Sequence, residues 1–244
     1  MKLHLAIITF LTAAAVPADA VIQIVTNNEV GPGGVGSTFT PSYLVSSTDL
    51  LNGLMPSAFG GNFAATEITG GLPVLTDGTY GTITEPGGAA DRTHLIFGIA
   101  GGGSGTGTFA TYTLNLAASP LGYDIDHFDI YGGWNDNGRD QQLYTIAYSR
   151  VGDASFIDLP LVDFNPVVGA NLQSATRVSL FETSPIVLAS GVDEIRFTFS
   201  PSPENGYTGY AELDVIGRPT VPEPGSAALL AGALGVLGLR QRRR

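Results

Sequence analysis

The sequence consists largely of short segments in which apolar and polar residues alternate, separated by Gly, Asn, Asp and Pro. In Ile195–Ser200, for example, Ile195, Phe197 and Phe199 share one face. A period of two is that of a β-strand with one buried face. The other segments predicted as strands are Val21–Thr26, Thr93–Ile99, Ala110–Leu116, Ile125–Tyr131, Leu143–Ser149, Phe156–Leu159, Thr176–Leu180 and Ala211–Ile216. This many short strands predicts an all-β fold, an antiparallel β-sandwich or jelly roll.

Composition supports the same fold class. The chain has 33 Gly and 15 Pro in 244 residues, and Lys2 is its single lysine, so a bundle of long solvated helices is excluded. Apolar residues make up 43%, enough for a core, which excludes global disorder. The absence of Cys excludes disulfides, thiolate metal sites and cysteine nucleophiles.

The N-terminus has the pattern of a signal peptide. Lys2 provides a basic start, Leu3–Val16 is mostly apolar, and Ala18-Asp19-Ala20 is a small-x-small cleavage site. We therefore predict a signal peptide over residues 1–20, with the mature chain beginning at Val21. A buried first helix is the alternative.

The C-terminus combines three features in a fixed order. A linker over residues 219–225 contains Pro222, Glu223 and Pro224, a stiff and extended segment. Residues 226–239 are small or apolar, and residues 240–244 form a basic tail. A helix over residues 226–239 would be about 21 Å long, short of a ~30 Å hydrocarbon core, and snorkelling arginines would make up part of the difference. The tail would stay in the cytoplasm.

This order resembles the PEP-CTERM sorting signal. The resemblance implies a protein exported by a Gram-negative bacterium and processed at Pro222-Glu223-Pro224 by an exosortase-type membrane protease. It implies transient anchoring in the inner membrane, a final place at the cell surface or in the extracellular matrix, and a connection with exopolysaccharide and biofilm. A plain tail anchor is the alternative.

The segment between the two ends reads as one domain, residues 21–218, because no internal linker stands out. The chain has a formal net charge of −11, and leaving out Lys2, the four terminal arginines, Asp19 and Glu223 takes this to about −14. Such an acidic body argues against nucleic acid as a partner and suits divalent cations.

Two segments carry a second resemblance. Leu75–Gly81, with the order Leu-Thr-Asp-Gly-Thr-Tyr-Gly, and Gly209–Gly217 are similar to the two ends of a galactose-binding-like, or discoidin-type, β-sandwich. In that family an Asp-Gly loop meets a Glu of the last strand, and the two commonly share a structural calcium ion.

For this chain the resemblance implies a calcium site with Asp77 and Glu212 as side-chain ligands and with Thr79 and Ala211 as carbonyl ligands. Two carboxylates and two carbonyls suit a hard ion that takes six to eight oxygens. The family's usual Asn is replaced by Val74, which could offer only its backbone. The alternative is a simple turn at Asp77-Gly78 and a solvent-facing Glu212.

The segment Tyr131–Gln142 is a second candidate site, predicted as a polar loop between strands. Its Trp could stack on the C–H face of a sugar while polar side chains bind hydroxyls. The candidate glycan-binding residues are Trp134, Asn135, Asp136, Asn137, Arg139 and Asp140. Alternatively, the polar residues cap their own turns and the Trp covers the end of the core. A second metal site at Asp136, Asn137 and Asp140 is also open.

Catalysis has little support in the sequence. His94 and His127 lie inside predicted strands, and no Gly-x-Ser-x-Gly nucleophile motif occurs. We therefore expect a non-catalytic surface or matrix protein that binds exopolysaccharide. A structural or adhesive matrix protein without a defined sugar site is one alternative, and a secreted polysaccharide-active enzyme is another.

Overall fold

The computed structural model describes residues 21–34, 36–63, 71–84, 96–99, 108–136, 138–183, 187–200 and 207–221. Its strands are β1 (Ile22–Val30), β2 (Thr38–Phe39), β3 (Ala58–Gly60), β4 (Asn62–Phe63), β5 (Ile83–Thr84), β6 (Ile96–Ile99), β7 (Thr108–Thr113), β8 (Tyr123–Trp134), β9 (Gln142–Arg150), β10 (Ile157–Asp158), β11 (Val162–Phe164), β12 (Ser174–Glu182), β13 (Ala189–Phe199) and β14 (Tyr207–Pro219). A 3-10 helix spans Leu72–Thr76. The predicted all-β class is confirmed.

Apart from β2 and β5, which pair with each other in a separate two-stranded sheet, the strands form two antiparallel layers. In the first layer the order is β1-β12-β8-β14-β6-β4, and in the second it is β3-β7-β13-β9, with β10 and β11 on the far side of β9. Strands β8 and β13 pair at one end, where Ile125 lies opposite Ala189 and Tyr123 opposite Val192. The sheet folds over at this corner, as the sandwich prediction expected.

The main core lies between the layers and follows the predicted period of two. Phe128 of β8 packs edge-on against Phe197 of β13, with ring centroids 6.5 Å apart. Phe199 and Tyr210 are closer, at 4.5 Å. Val215 is fully buried as well. The alternation predicted for Ile195–Ser200 therefore places the expected side chains in the core. In Ala211–Ile216 it does so for Leu213 and Val215, whereas Ala211 lies at a register shift and packs in a second hydrophobic cluster.

The first layer is buried on its outer face too, which the alternation did not predict. Parts of residues 39–54 and 71–83, here called the cover segments, lie over β8, β12 and β14. Other parts of the same segments, including Leu51, Val74 and Leu75, belong to the main core. Tyr80 and Ile83 pack with Tyr131 and Trp134 in a second hydrophobic cluster. Leu50 N donates to Val215 O at 2.9 Å. The N-terminal part of the chain therefore packs onto the sandwich, and the polar side of β14 faces protein.

Several strands are longer than the sequence predicts. Strand β8 continues from the predicted end at Tyr131 to Trp134, because Ser174–Arg177 of β12 pair with Tyr131–Trp134. The prediction that Trp134 lies in a polar loop is therefore wrong. Residues 1–20, 93–95, 222–225, the segment 226–239 and the tail 240–244 lie outside the described residues. Among the described residues, no helix is long and apolar enough to cross a membrane.

Candidate metal centre

Two acidic side chains of the last strand point into the space beneath the cover segments. Glu212 and Asp214 are two residues apart on β14, so both lie on the outer face of the first layer. They are 0% and 1% exposed. Across the ladder, Glu212 lies opposite Tyr131 of β8 and Asp214 lies opposite Asp129. The alternative of a solvent-facing Glu212 is therefore wrong, because the cover segments bury that face.

A third carboxylate comes from the cover segments. Asp49 Oδ1 accepts hydrogen bonds from the backbone N–H of Leu51 at 2.7 Å and of Val215 at 3.3 Å. The hydrogen bond from Leu50 N to Val215 O holds the same loop against β14. Asp49 is thus fixed beside Glu212 and Asp214 although about 160 residues separate them along the chain.

The three carboxylates converge. One oxygen from each of Asp49, Glu212 and Asp214 lies within 4.8 Å of the other two. In each group one oxygen accepts a hydrogen bond from a backbone N–H. Glu212 Oε1 accepts from Gly78 N at 3.3 Å, and Asp214 Oδ2 accepts from Ser46 N at 2.7 Å. The other oxygens, Asp49 Oδ2, Glu212 Oε2 and Asp214 Oδ1, are buried and accept no hydrogen bond from the described residues. The Tyr131 hydroxyl nearby donates to Leu44 O at 3.0 Å.

Burial perturbs the ionisation of all three groups, and repulsion between carboxylates adds to the effect at Glu212 and Asp214. Burial, with the Asp214 charge next in importance, raises the pKa of Glu212 to about 9. Burial, together with the charges of Asp49 and Asp129, raises the pKa of Asp214 to about 7. Burial also raises the pKa of Asp49. Three carboxylates in such a place are stable only when protons or a cation neutralise them.

The donor set indicates which cation fits. Every ligand atom in the cluster is a carboxylate oxygen, the donor that hard divalent cations prefer. A bound cation would satisfy buried carboxylate oxygens that accept no hydrogen bond from the described residues, in a cluster where one oxygen of each group lies within 4.8 Å of the other two. Calcium takes six to eight oxygens, so backbone carbonyls or water would have to complete its shell. The residues therefore fit a calcium ion, and they would hold it between the cover segments and β14.

The predicted calcium ligands are only partly brought together. The loop containing Asp77 does meet the last strand, through the hydrogen bond from Gly78 N to Glu212. Asp77 itself is exposed, and its Oδ1 accepts hydrogen bonds from N and Oγ1 of Thr79, at 3.1 and 3.0 Å. The side chain of Ala211 packs in the second hydrophobic cluster.

Sequence reasoning found Glu212 but missed Asp49 and Asp214. One local signal was present for Asp214: it shares a strand face with Glu212, two positions away. For Asp49 no local signal exists, since the contact with β14 is made by a distant loop. The cluster Asp49–Glu212–Asp214 is called the acidic triad below.

The Trp134 side chain lies inside the protein. It is 1% exposed. The Arg139 guanidinium lies over its ring, 4.9 Å from the centroid. A sugar needs an open aromatic face for stacking, and this ring offers none. Trp134 packs with Tyr80 and Ile83 in the second hydrophobic cluster and is not part of the main core between the layers.

The other residues of that segment form a compact turn. Asn135 and Asp140 are buried, at 4% and 0% exposure. Asp136 Oδ1 accepts a hydrogen bond from Gly138 N at 2.8 Å, so it caps the turn. Asn137 lies outside the described residues. The glycan-binding and second-metal hypotheses for this segment stay predictions.

Of the two histidines considered for catalysis, His94 lies outside the described residues. His127 lies on β8 with Nε2 at 3.6 Å from Asp129 Oδ2. Asp129 also accepts a hydrogen bond from the Ser179 hydroxyl. His127 thus lies on a strand, as predicted, and its neighbours there are polar.

Comparison with known proteins identifies the C-terminal segment. Residues 220–244 match the model of the PEP-CTERM protein-sorting motif. The chain carries a PEP-CTERM sorting motif. Its proposed cleavage residues, Pro222, Glu223 and Pro224, fall within the match and outside the described residues. The motif begins directly after β14, which ends at Pro219, and it implies export and processing by an exosortase.

The folded part is similar to a solved structure. The F5/8 type C domain of a Bacteroides fragilis protein aligns with 55% of this chain and 78% of its own, at 18% identity and a TM-score of 0.34. F5/8 type C is another name for the discoidin type. No curated protein matches the chain.

Proposed function

We propose that this chain is a non-catalytic protein of the bacterial cell surface or extracellular matrix, that its β-sandwich binds exopolysaccharide, and that an exosortase processes it near Pro222-Glu223-Pro224. The observation that carries the proposal is the sorting motif of residues 220–244 immediately after the last strand of the sandwich. It ties the folded module to export from a Gram-negative cell. The acidic chain, with a formal net charge of −11, argues against a nucleic-acid partner.

The acidic triad supports calcium as a structural component. The ion would join Asp49 of the cover segments to Glu212 and Asp214 of β14. Its role would be to neutralise buried charge and hold two distant parts of the chain together. The cluster lies under the cover segments, with Glu212 0% exposed, so a polymer has no access to these carboxylates. This favours a structural over a catalytic role for them.

A binding assay tests the proposal. The purified protein is screened against a panel of neutral and acidic polysaccharides, first with calcium and then with chelator. Saturable binding to a few related glycans is the expected result. Release of new reducing ends, abolished by one Asp or Glu substitution, would replace the proposal with a polysaccharide-active enzyme.

A second function is favoured by one observation. Trp134, the side chain predicted to stack on a sugar, is 1% exposed. This favours a structural or adhesive matrix protein without a defined sugar site. Absence of glycan binding with and without calcium would select this second function.

A further inference from the structure

Strand β1 forms one edge of the first layer. All nine residues, Ile22–Val30, pair with β12 in continuous antiparallel register, from Ile22 opposite Glu182 to Val30 opposite Ser174. Within the described ranges, β12 is the single strand that pairs with β1. The backbone N–H and C=O groups along its other side are therefore a template for a further strand.

This edge is apolar and well exposed. Three consecutive residues of the strand, Ile24, Val25 and Thr26, are exposed. Ile24 is 37% and Val25 is 42% exposed, and Val30 at the end of the strand is 47% exposed. Side chains on both faces of β1 thus present apolar surface to solvent, and a strand added to the edge would bury part of it.

The usual protections of an edge strand are missing from β1. Natural edges are guarded by lysines, prolines, bulges or short length. Strand β1 contains no Lys, Arg or Pro, and its register has no shift. Its one charge, Glu29, is close to the end and accepts hydrogen bonds from N and Oγ of Ser42. Predicted signal cleavage after Ala20 would also leave no preceding segment to cover the edge.

We propose that β1 pairs with β1 of a second copy of this chain, so that the first layers of two molecules form one continuous antiparallel sheet. The register that pairs all nine residues has its two-fold axis at Thr26. It places Ile22 opposite Val30 and Gln23 opposite Glu29, so no like charges face each other. The two copies keep their core faces on the same side of the sheet, since residues of equal parity pair. This pairing goes beyond the proposed function and needs no glycan.

The absence of Cys in the natural chain allows a direct test of the register. Residues directly opposite in an antiparallel pair have Cα atoms about 4.5–5.5 Å apart, which suits a disulfide. Thr26 is the one residue of β1 that would lie opposite itself. Thr26→Cys is therefore expected to form a disulfide-linked dimer under mild oxidation. Val167→Cys, at a fully exposed position outside the strands, is the matched control and should stay monomeric.

Self-association of the chain without residues 1–20 is then measured by sedimentation velocity from about 2 to 200 µM, the range expected for a small interface. We expect a concentration-dependent dimer whose dissociation constant falls as salt rises. Both copies are acidic, and salt screens the repulsion between them. Val25→Lys should weaken it at least about tenfold, since it puts a charge into the new pair, whereas Val167→Lys should not. A monomer throughout, or equal cross-linking by Thr26→Cys and Val167→Cys, would overturn the proposal. The melting temperature of each variant shows that it is folded.

Discussion

Replacing Glu212 by Gln tests the acidic triad with two effects of opposite sign. Gln keeps the size of the side chain and an oxygen that can accept the hydrogen bond from Gly78 N. It removes the charge that burial and Asp214 make unfavourable. Without a cation the variant should be more stable than the natural protein at neutral and alkaline pH. With calcium this advantage in stability should shrink or reverse, because the variant has lost one of the proposed calcium ligands.

The size of the first effect follows from linkage. The pKa of Glu212 is raised from 4.5 to about 9 in the folded state. Folded protein therefore binds this proton more tightly than unfolded protein, so stability is fully present below pH 4.5 and declines as the pH rises towards 9. At pH 7 the free energy of unfolding is therefore lower by about 3 kcal/mol than below pH 4.5 because of this group, at 1.36 kcal/mol per pH unit. Gln does not titrate and should abolish this part of the decline.

The size of the second effect follows from mass action. Calcium at 100 times its dissociation constant would stabilise the folded state by about 2.7 kcal/mol. For a domain of this size that corresponds to a rise in melting temperature of roughly 5–10 °C. We expect this rise in the natural protein at pH 7.5 and a much smaller one at pH 5, where protons compete for Glu212 and Asp214.

Thermal unfolding followed by circular dichroism, with EGTA or with millimolar calcium at pH 5 and 7.5, measures both effects. Asp158→Asn is the matched control: it also removes one carboxylate from a strand, but Asp158 is exposed on β10, far from the triad in sequence. Its calcium response should equal that of the natural protein. The reasoning fails if calcium leaves the natural melting temperature unchanged, or if Glu212→Gln keeps the full calcium shift.

Three further outcomes are expected. Asp77→Asn should reduce the calcium shift less than Glu212→Gln does, because Asp77 is exposed and its Oδ1 holds Thr79; an equal loss would add Asp77 to the ligands. Trp134→Ala should lower the free energy of unfolding by about 3–5 kcal/mol in denaturant titrations, since it empties a buried aromatic site; a change within 1 kcal/mol would contradict that packing role. Replacing Pro222-Glu223-Pro224 by alanines should leave unprocessed chain in the inner membrane, detected by fractionation and mass spectrometry; normal release would place the processing signal elsewhere.

Much of the fold was predictable because strand periodicity is a local property. The alternation in Leu143–Ser149 and Ile195–Ser200 identified both strands and their core faces, since each needs only neighbouring residues to be recognised. Strand ends were harder to predict. Trp134 follows two glycines in a polar stretch, a pattern typical of a loop, yet pairing with Ser174 of β12 extends β8 to include it.

The candidate site was predictable in part. The Asp-Gly loop and Glu212 were expected to meet, and Gly78 N does donate to Glu212. The remaining members of the triad depend on what covers β14. Asp214 reads as a solvent-facing residue in an alternating strand, and it becomes buried because the loop around Asp49 packs over it. Which face of a sheet is covered depends on distant parts of the chain, so periodicity cannot predict it.

The sequence by itself determined the all-β class, the acidic character and the PEP-CTERM sorting motif, because each is encoded in residues that are adjacent along the chain. Only the tertiary structure decided that Asp49 joins Glu212 and Asp214, that Trp134 is closed to solvent, and that β1 has an open edge. These features depend on contacts between residues far apart in sequence. Their energetics also depend on burial, since the same carboxylates would ionise normally in water.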